Sequence, residues 1–203
     1  MVAQHLNHGL LYHSARYFVA FLRHVNLVEL FKWSGGHFAR RLKVDSRYGE
    51  AVGVDAYQVF KWILLILIWN SQTVNRTHLL IVFYMIGSNL FSYFYYHCWV
   101  QHNPTLHAFR RRLIHAIFAI LYYIACYAYI YNIQLVSEAI NWPNNTNTVY
   151  SSLYLSTNIA FGINNGDFSP ISDTARLLFT TQILNSFLFI TIIIANSITF
   201  NHK

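Results

Sequence analysis

The stretch that decides the fold is Ser152-Leu-Tyr-Leu-Ser156-Thr-Asn-Ile-Ala-Phe-Gly162-Ile-Asn-Asn-Gly166-Asp-Phe-Ser-Pro170. It lies between two long apolar runs, Leu113 to Asn132 and Arg176 to Thr199. Its serines, asparagines and glycines make it too polar to cross a bilayer as a helix. Irregular backbone at membrane depth is tolerated only where protein shields it or where it lines a water-filled path. The stretch therefore reads as a short helix followed by a re-entrant loop.

The rest of the chain supports a membrane setting. Hydrophobic residues make up 55% and charged residues 10%, against roughly 25% charged in soluble chains. A spanning helix needs about 20 mainly apolar residues. Four segments are expected to span, near residues 54–71, 78–99, 113–132 and 176–199, with Lys61 the one charge between Tyr57 and Trp69 of the first. The net charge of +7 is uneven. Arg16, Arg23, Lys32, Arg40, Arg41, Lys43 and Arg47 precede the first span, and Arg110-Arg111-Arg112 precede the third. The excess of Lys and Arg on cytoplasmic segments accounts for these residues without a nucleic-acid partner.

That rule places both termini in the cytoplasm and the segments 70–77 and 132–150 outside. The sequons Asn75-Arg76-Thr77 and Asn144-Asn145-Thr146 fall in those outer segments. Cys98 and Cys126 lie in or beside apolar segments and read as reduced packing residues. His13, Arg16 and Arg23 break the first apolar stretch, so no cleavable leader is expected and the first span is expected to direct insertion.

Residues 9–32 are amphipathic. They fit a basic helix on the inner leaflet, in contact with anionic lipid, and equally a helix packed on the cytoplasmic base of the protein. Ser34-Gly35-Gly36 is expected to end this helix, and Arg40 to Arg47 to form a basic linker. Three regions are expected: a basic cytoplasmic or interfacial segment (1–50), two transmembrane spans (51–108), and a final unit of outer helix, loop and inner helix (109–203).

The final unit resembles the pore domain of the potassium-channel superfamily, in the branch with one pore loop and two transmembrane helices per pore unit. Leu153-Tyr-Leu-Ser156 is similar to the start of the family's pore helix. Gly166-Asp167-Phe168-Ser169-Pro170 is similar to its filter exit, and Ala175-Arg176-Leu177 to the opening of its inner helix. Where the family carries Thr-Val-Gly-Tyr-Gly, this chain has Gly162-Ile163-Asn164-Asn165-Gly166. The second position stays hydrophobic and the last stays glycine. The threonine hydroxyl, the middle glycine and the packing aromatic are replaced.

The resemblance implies an all-α membrane protein with four transmembrane helices and a re-entrant pore helix and filter loop before the last. One such loop cannot enclose a path for ions, whereas four around an axis do, which implies a homotetramer. Backbone carbonyls of Gly162, Ile163, Asn164 and Asn165 would then replace water around a permeating cation. Potassium or sodium is the expected ion, with calcium a further option, and no cofactor is expected. Asp167 reads either as part of an acidic ring at the outer mouth or as a buried partner of the pore helix.

Thr181, Asn185 and Ser186 interrupt the last span. They read as cavity or gate residues, or as interhelical hydrogen-bonding groups. Arg110–Arg112 read as a linker coupled to the gate, or as contacts to anionic lipid. The second span has no basic residue at every third position, so no voltage-sensing helix is expected. Two other functions fit the residues less well. One is a non-conducting adaptor or regulatory subunit that keeps the pore-loop fold. The other is a membrane metalloenzyme using His97, His102, His107 and His115, although no H-x-x-H-H or H-E-x-x-H pattern occurs and no enzymatic activity is expected.

Overall fold

The computed structural model describes residues 10–71, 75–99, 106–143, 147–163 and 168–200. The chain divides into two compact units, Met1–Phe60 and Lys61–Lys203, with the division falling inside one long helix.

In the first unit, α1 (Leu10–Val25) and α2 (Leu27–Arg41) replace the single amphipathic helix expected over residues 9–32. The break is at Asn26, whose extended backbone and side-chain oxygen, accepting from Val28 N at 3.1 Å, cap α2. An asparagine in that role supplies a partner to a helix-end amide that has none within the helix. Among the described side chains of α1, only Val19 is buried. Phe18, Phe21 and Val25 stand exposed on one arc, with Arg16 and Arg23 on the other.

Ser34-Gly35-Gly36 does not end the helix: α2 runs through it to Arg41. The reason lies in the next helix, α3 (Ser46–Asn70). A Cβ on Gly35 would collide with the Gly49 carbonyl oxygen, and one on Gly53 with that of Phe31. The glycines thus let two helix backbones touch, and that contact outweighs the low helix propensity of glycine. The expected basic linker shrinks to Leu42–Asp45 between the two helices.

The second unit continues α3 and adds α4 (Arg76–Phe94), which runs into a π-helical turn at Tyr95–Trp99. Next come α5 (Leu106–Asn132), a single turn α6 (Gln134–Ser137) and a two-residue strand β1 (Ile140–Asn141). The chain ends with α7 (Val149–Phe161), strand β2 (Ser169–Pro170) and α8 (Asp173–Phe200).

Ser46–Asn70, Arg76–Phe94, Arg110–Asn132 and Asp173–Ile192 are long and apolar enough to cross a membrane. They overlap the four expected spans, and the all-α class is one of the two that can cross a membrane. The core is centred on α5. Tyr123, Tyr127 and Tyr131 recur every fourth residue and so share one face, and together with Tyr122 they are buried. Adjacent rings of this ladder lie 5.0 and 6.1 Å apart, and Phe189 and Phe179 of α8 pack against its two ends.

Candidate functional site

The site is assembled around α7. With 13 residues this helix is about 20 Å long, short of the ~30 Å hydrocarbon core of a bilayer. Thr148 caps its start, its side-chain oxygen accepting from Ser151 N at 3.1 Å. Asn132 at the end of α5 and Asn147 exchange hydrogen bonds at 3.3 and 3.2 Å, and Ser152 donates to Asn147 Oδ1 at 2.9 Å. The first turn of α7 is therefore tied to the end of α5.

The far end of α7 stops at Gly162, whose φ of 66° lies in the left-handed region. Ile163 N donates to Asn158 O at 2.9 Å and Gly162 N to Ile159 O at 3.3 Å, closing the helix in the manner of a Schellman cap. Among the described residues, nothing lies within 4 Å of a Cβ built on Gly162. The glycine is needed there for its backbone angle, since space is free. Ile163 follows, 54% exposed. Asn164, Asn165, Gly166 and Asp167 lie outside the described residues.

On the return side, Phe168 is buried between Trp142 and Tyr154, with ring centroids 5.6 and 5.9 Å away. Trp142 Nε1 donates to Ser137 O at 2.7 Å. Strands β1 and β2 pair antiparallel, Ile140 with Pro170 and Asn141 with Ser169. Ile171 N donates to Ala139 O at 2.8 Å. The chain between β1 and β2 therefore leaves one point and comes back to it, and residues 164–167 bridge two fixed ends.

A buried polar knot holds the middle of α7. Ser156 and Gln182 are both 0% exposed. Gln182 Nε2 donates to Ser156 O at 2.9 Å and to Ser156 Oγ at 2.8 Å, while Gln182 Oε1 accepts from the Tyr131 hydroxyl at 2.7 Å. Ser156 Oγ donates in turn to Ile124 O at 2.8 Å, and the Tyr123 hydroxyl donates to the backbone oxygen of Gln182. Three helices, α5, α7 and α8, meet at one amide. Sequence reasoning missed this pair. Its signal is a glutamine on the same face of the last span as Asn185 and Ser186.

Thr181, Asn185 and Ser186 are also turned towards α5. The Tyr127 hydroxyl donates to Thr181 Oγ1 at 3.4 Å and accepts from Asn185 Nδ2 at 3.2 Å, and Ser186 Oγ donates to the Tyr123 hydroxyl at 3.3 Å. The opposite face of α8 carries Thr180, Leu184, Phe187 and Thr191, all exposed. Asp173, in the first turn of α8, pairs with Arg176 at 3.2 Å on the surface.

A second buried polar group sits apart from α7. Lys61 Nζ donates to Asn89 Oδ1 at 2.7 Å and lies 4.6 Å from the centre of the Tyr122 ring. Asn89 Nδ2 donates to Ala119 O at 3.1 Å, so α3, α4 and α5 are joined through these two side chains. Among the described residues, no group of three or more His, Cys, Asp or Glu is placed to hold a metal ion. His102 lies outside the described residues.

No protein-family profile, curated protein or solved structure matches this chain.

Proposed function

We propose that the chain is one subunit of a tetrameric, pore-loop cation channel of the potassium-channel type with a divergent filter. The observation that carries this reading is the closed excursion from β1 through α7 and back to β2: a helix too short to span, a left-handed cap, four linking residues and a return to the starting point. Placed beside apolar helices, such a segment enters the membrane from one side and leaves by the same side. Four copies around α8 surround a path. The C-terminal ends of four α7 helices then point partial negative charge towards a cation on the axis.

In this reading the backbone from Ile163 to Gly166 supplies carbonyl ligands, and Asp167 stands at the outer mouth. Gly162 serves chiefly to close α7. The cavity is lined by Thr180, Leu184, Phe187 and Thr191, while Thr181, Asn185 and Ser186 are spent on the contact with α5. Both termini lie in the cytoplasm, with α1 on the inner leaflet.

The test is ion flux through the purified full-length protein in liposomes, followed by bi-ionic reversal potentials between potassium and sodium. Cation flux from a tetramer is the expected result. A well-assembled protein that passes no ion would favour the non-conducting adaptor instead.

A further inference from the structure

Resting on the channel reading, we propose that Gln182 is the positioning residue of the filter loop, with Ser156 as its counterpart. Together they set where α7 delivers the backbone beyond Gly162, and through that the ratio in which the pore admits potassium and sodium.

The argument begins with what holds α7. Its first turn is fixed by Asn132, Asn147 and Ser152, and its last turn ends at a glycine cap. Between them, a polar tie to both flanking helices occurs at Ser156, about 9 Å before Gly162 along the axis. Ser156 Oγ donates to α5 at Ile124 O and accepts from α8 at Gln182 Nε2. Turning α7 by one residue, or sliding it by one rise, breaks both bonds at once.

The glutamine is suited to this role in a way that an apolar residue of its size is not. Its nitrogen makes two bonds to a single residue of α7, and its oxygen takes one from Tyr131 of α5. The amide plane is thereby fixed. The Tyr123 hydroxyl fixes the backbone of the same residue. A glutamine that merely filled space here would cost free energy for burying an amide. Three satisfied bonds in a water-free setting instead make a rigid joint.

The Gln182–Ser156 joint is a rigid contact on the helix that carries the loop. Carbonyl cages discriminate ions through the number and placement of their dipoles, so a small displacement of α7 alters discrimination before it abolishes conduction.

The experiment compares wild type with Gln182→Met, Ser156→Ala, the double variant and Leu155→Ala, all as full-length protein in liposomes. Leu155 is fully buried on α7 and serves as a packing control. Tetramer fraction is read by native mass measurement and the permeability ratio by bi-ionic reversal potential. Gln182→Met and Ser156→Ala are each expected to move the ratio by about threefold or more, and the double variant to move it no further, since the two side chains act as one joint. Leu155→Ala removes packing but none of these hydrogen bonds, and is expected to lower thermal stability and to move the ratio less than Ser156→Ala does. Variants that conduct with the wild-type ratio overturn the inference. If Gln182→Met does not assemble, Ser156→Ala decides by the same criterion. A wild-type tetramer without flux overturns the channel reading and this inference with it, an outcome distinct from a conducting wild type whose ratio the variants do not move.

Discussion

Two buried polar knots tie the second unit together, and they are made of opposite materials. Around Gln182 every participant is neutral, and donors meet acceptors across three helices. Around Lys61 a basic nitrogen donates to the Asn89 amide oxygen and lies over the face of Tyr122. The sequence from Ala56 to Ser137 contains no Asp or Glu, so α4 and α5 bring no carboxylate to it. A neutral knot fixes geometry through the directions of its hydrogen bonds. A charged knot is sensitive to the loss of any one partner, because what remains is a charge in an apolar setting. The neutral knot lies on the helix that carries the loop and the charged one at the junction of α3, α4 and α5.

The contrast is broken most directly at Asn89. Asn89→Leu removes the amide oxygen to which Lys61 Nζ donates and is expected to destabilise the protein by about 3 kcal/mol or more, as leaving a buried charged group without that acceptor does. Adding Lys61→Met to it is expected to recover most of the loss, because the stranded charge goes with the lysine. Thermal unfolding in detergent measures both. Equal losses in the single and double variants would show that packing at Asn89, and not the charge of Lys61, dominates there.

At the neutral knot the losses are smaller and share a single cause. Gln182→Met strands the Tyr131 hydroxyl and takes the donor from Ser156, whose hydroxyl keeps its bond to Ile124 O, at roughly 2–3 kcal/mol. Ser156→Ala removes the hydroxyl from the same joint and costs about 1–2 kcal/mol. The double variant is expected to fall short of the sum, since the pair acts through shared bonds. Full additivity would mean that the two residues contribute separately and that the joint is not a unit.

Hydropathy alone was enough to locate the four long helices, because length and apolar content are properties of a segment by itself. Other features depend on a partner, and these were not legible. Glycines at 35 and 36 look like a helix stop until Gly49 and Gly53 come within touching distance. Asn185 and Ser186 attract notice as a polar interruption, whereas Gln182, three positions earlier, is the residue that α7 meets. Gly162 reads by alignment as a filter position with its ligand missing. Its left-handed angle is a property of the folded loop, and makes it the cap of α7. The bracing of the loop by Trp142 and Phe168 joins residues 26 apart in sequence and follows from the β1–β2 pairing.

The smallest effects concern the backbone, and they sharpen the contrast between the two regions. Each knot has a glycine near it, and among the described residues nothing lies within 4 Å of a Cβ built on either. Gly87, two positions before Asn89, lies in regular helix, whereas Gly162 has φ of 66°. Gly162→Ala therefore forces an L side chain into the left-handed region and is expected to cost about 1–2 kcal/mol, loosening the end of α7. Gly87→Ala meets no clash and lowers the freedom of the unfolded chain, so it is expected to stabilise α4 by about 0.4–1 kcal/mol. Opposite shifts in unfolding temperature for two identical substitutions in equally open space would show that conformation alone separates them. A loss at both positions would mean that α4 needs its glycine for a contact with another subunit or with lipid, and that the charged region is less self-contained than its internal hydrogen bonds imply.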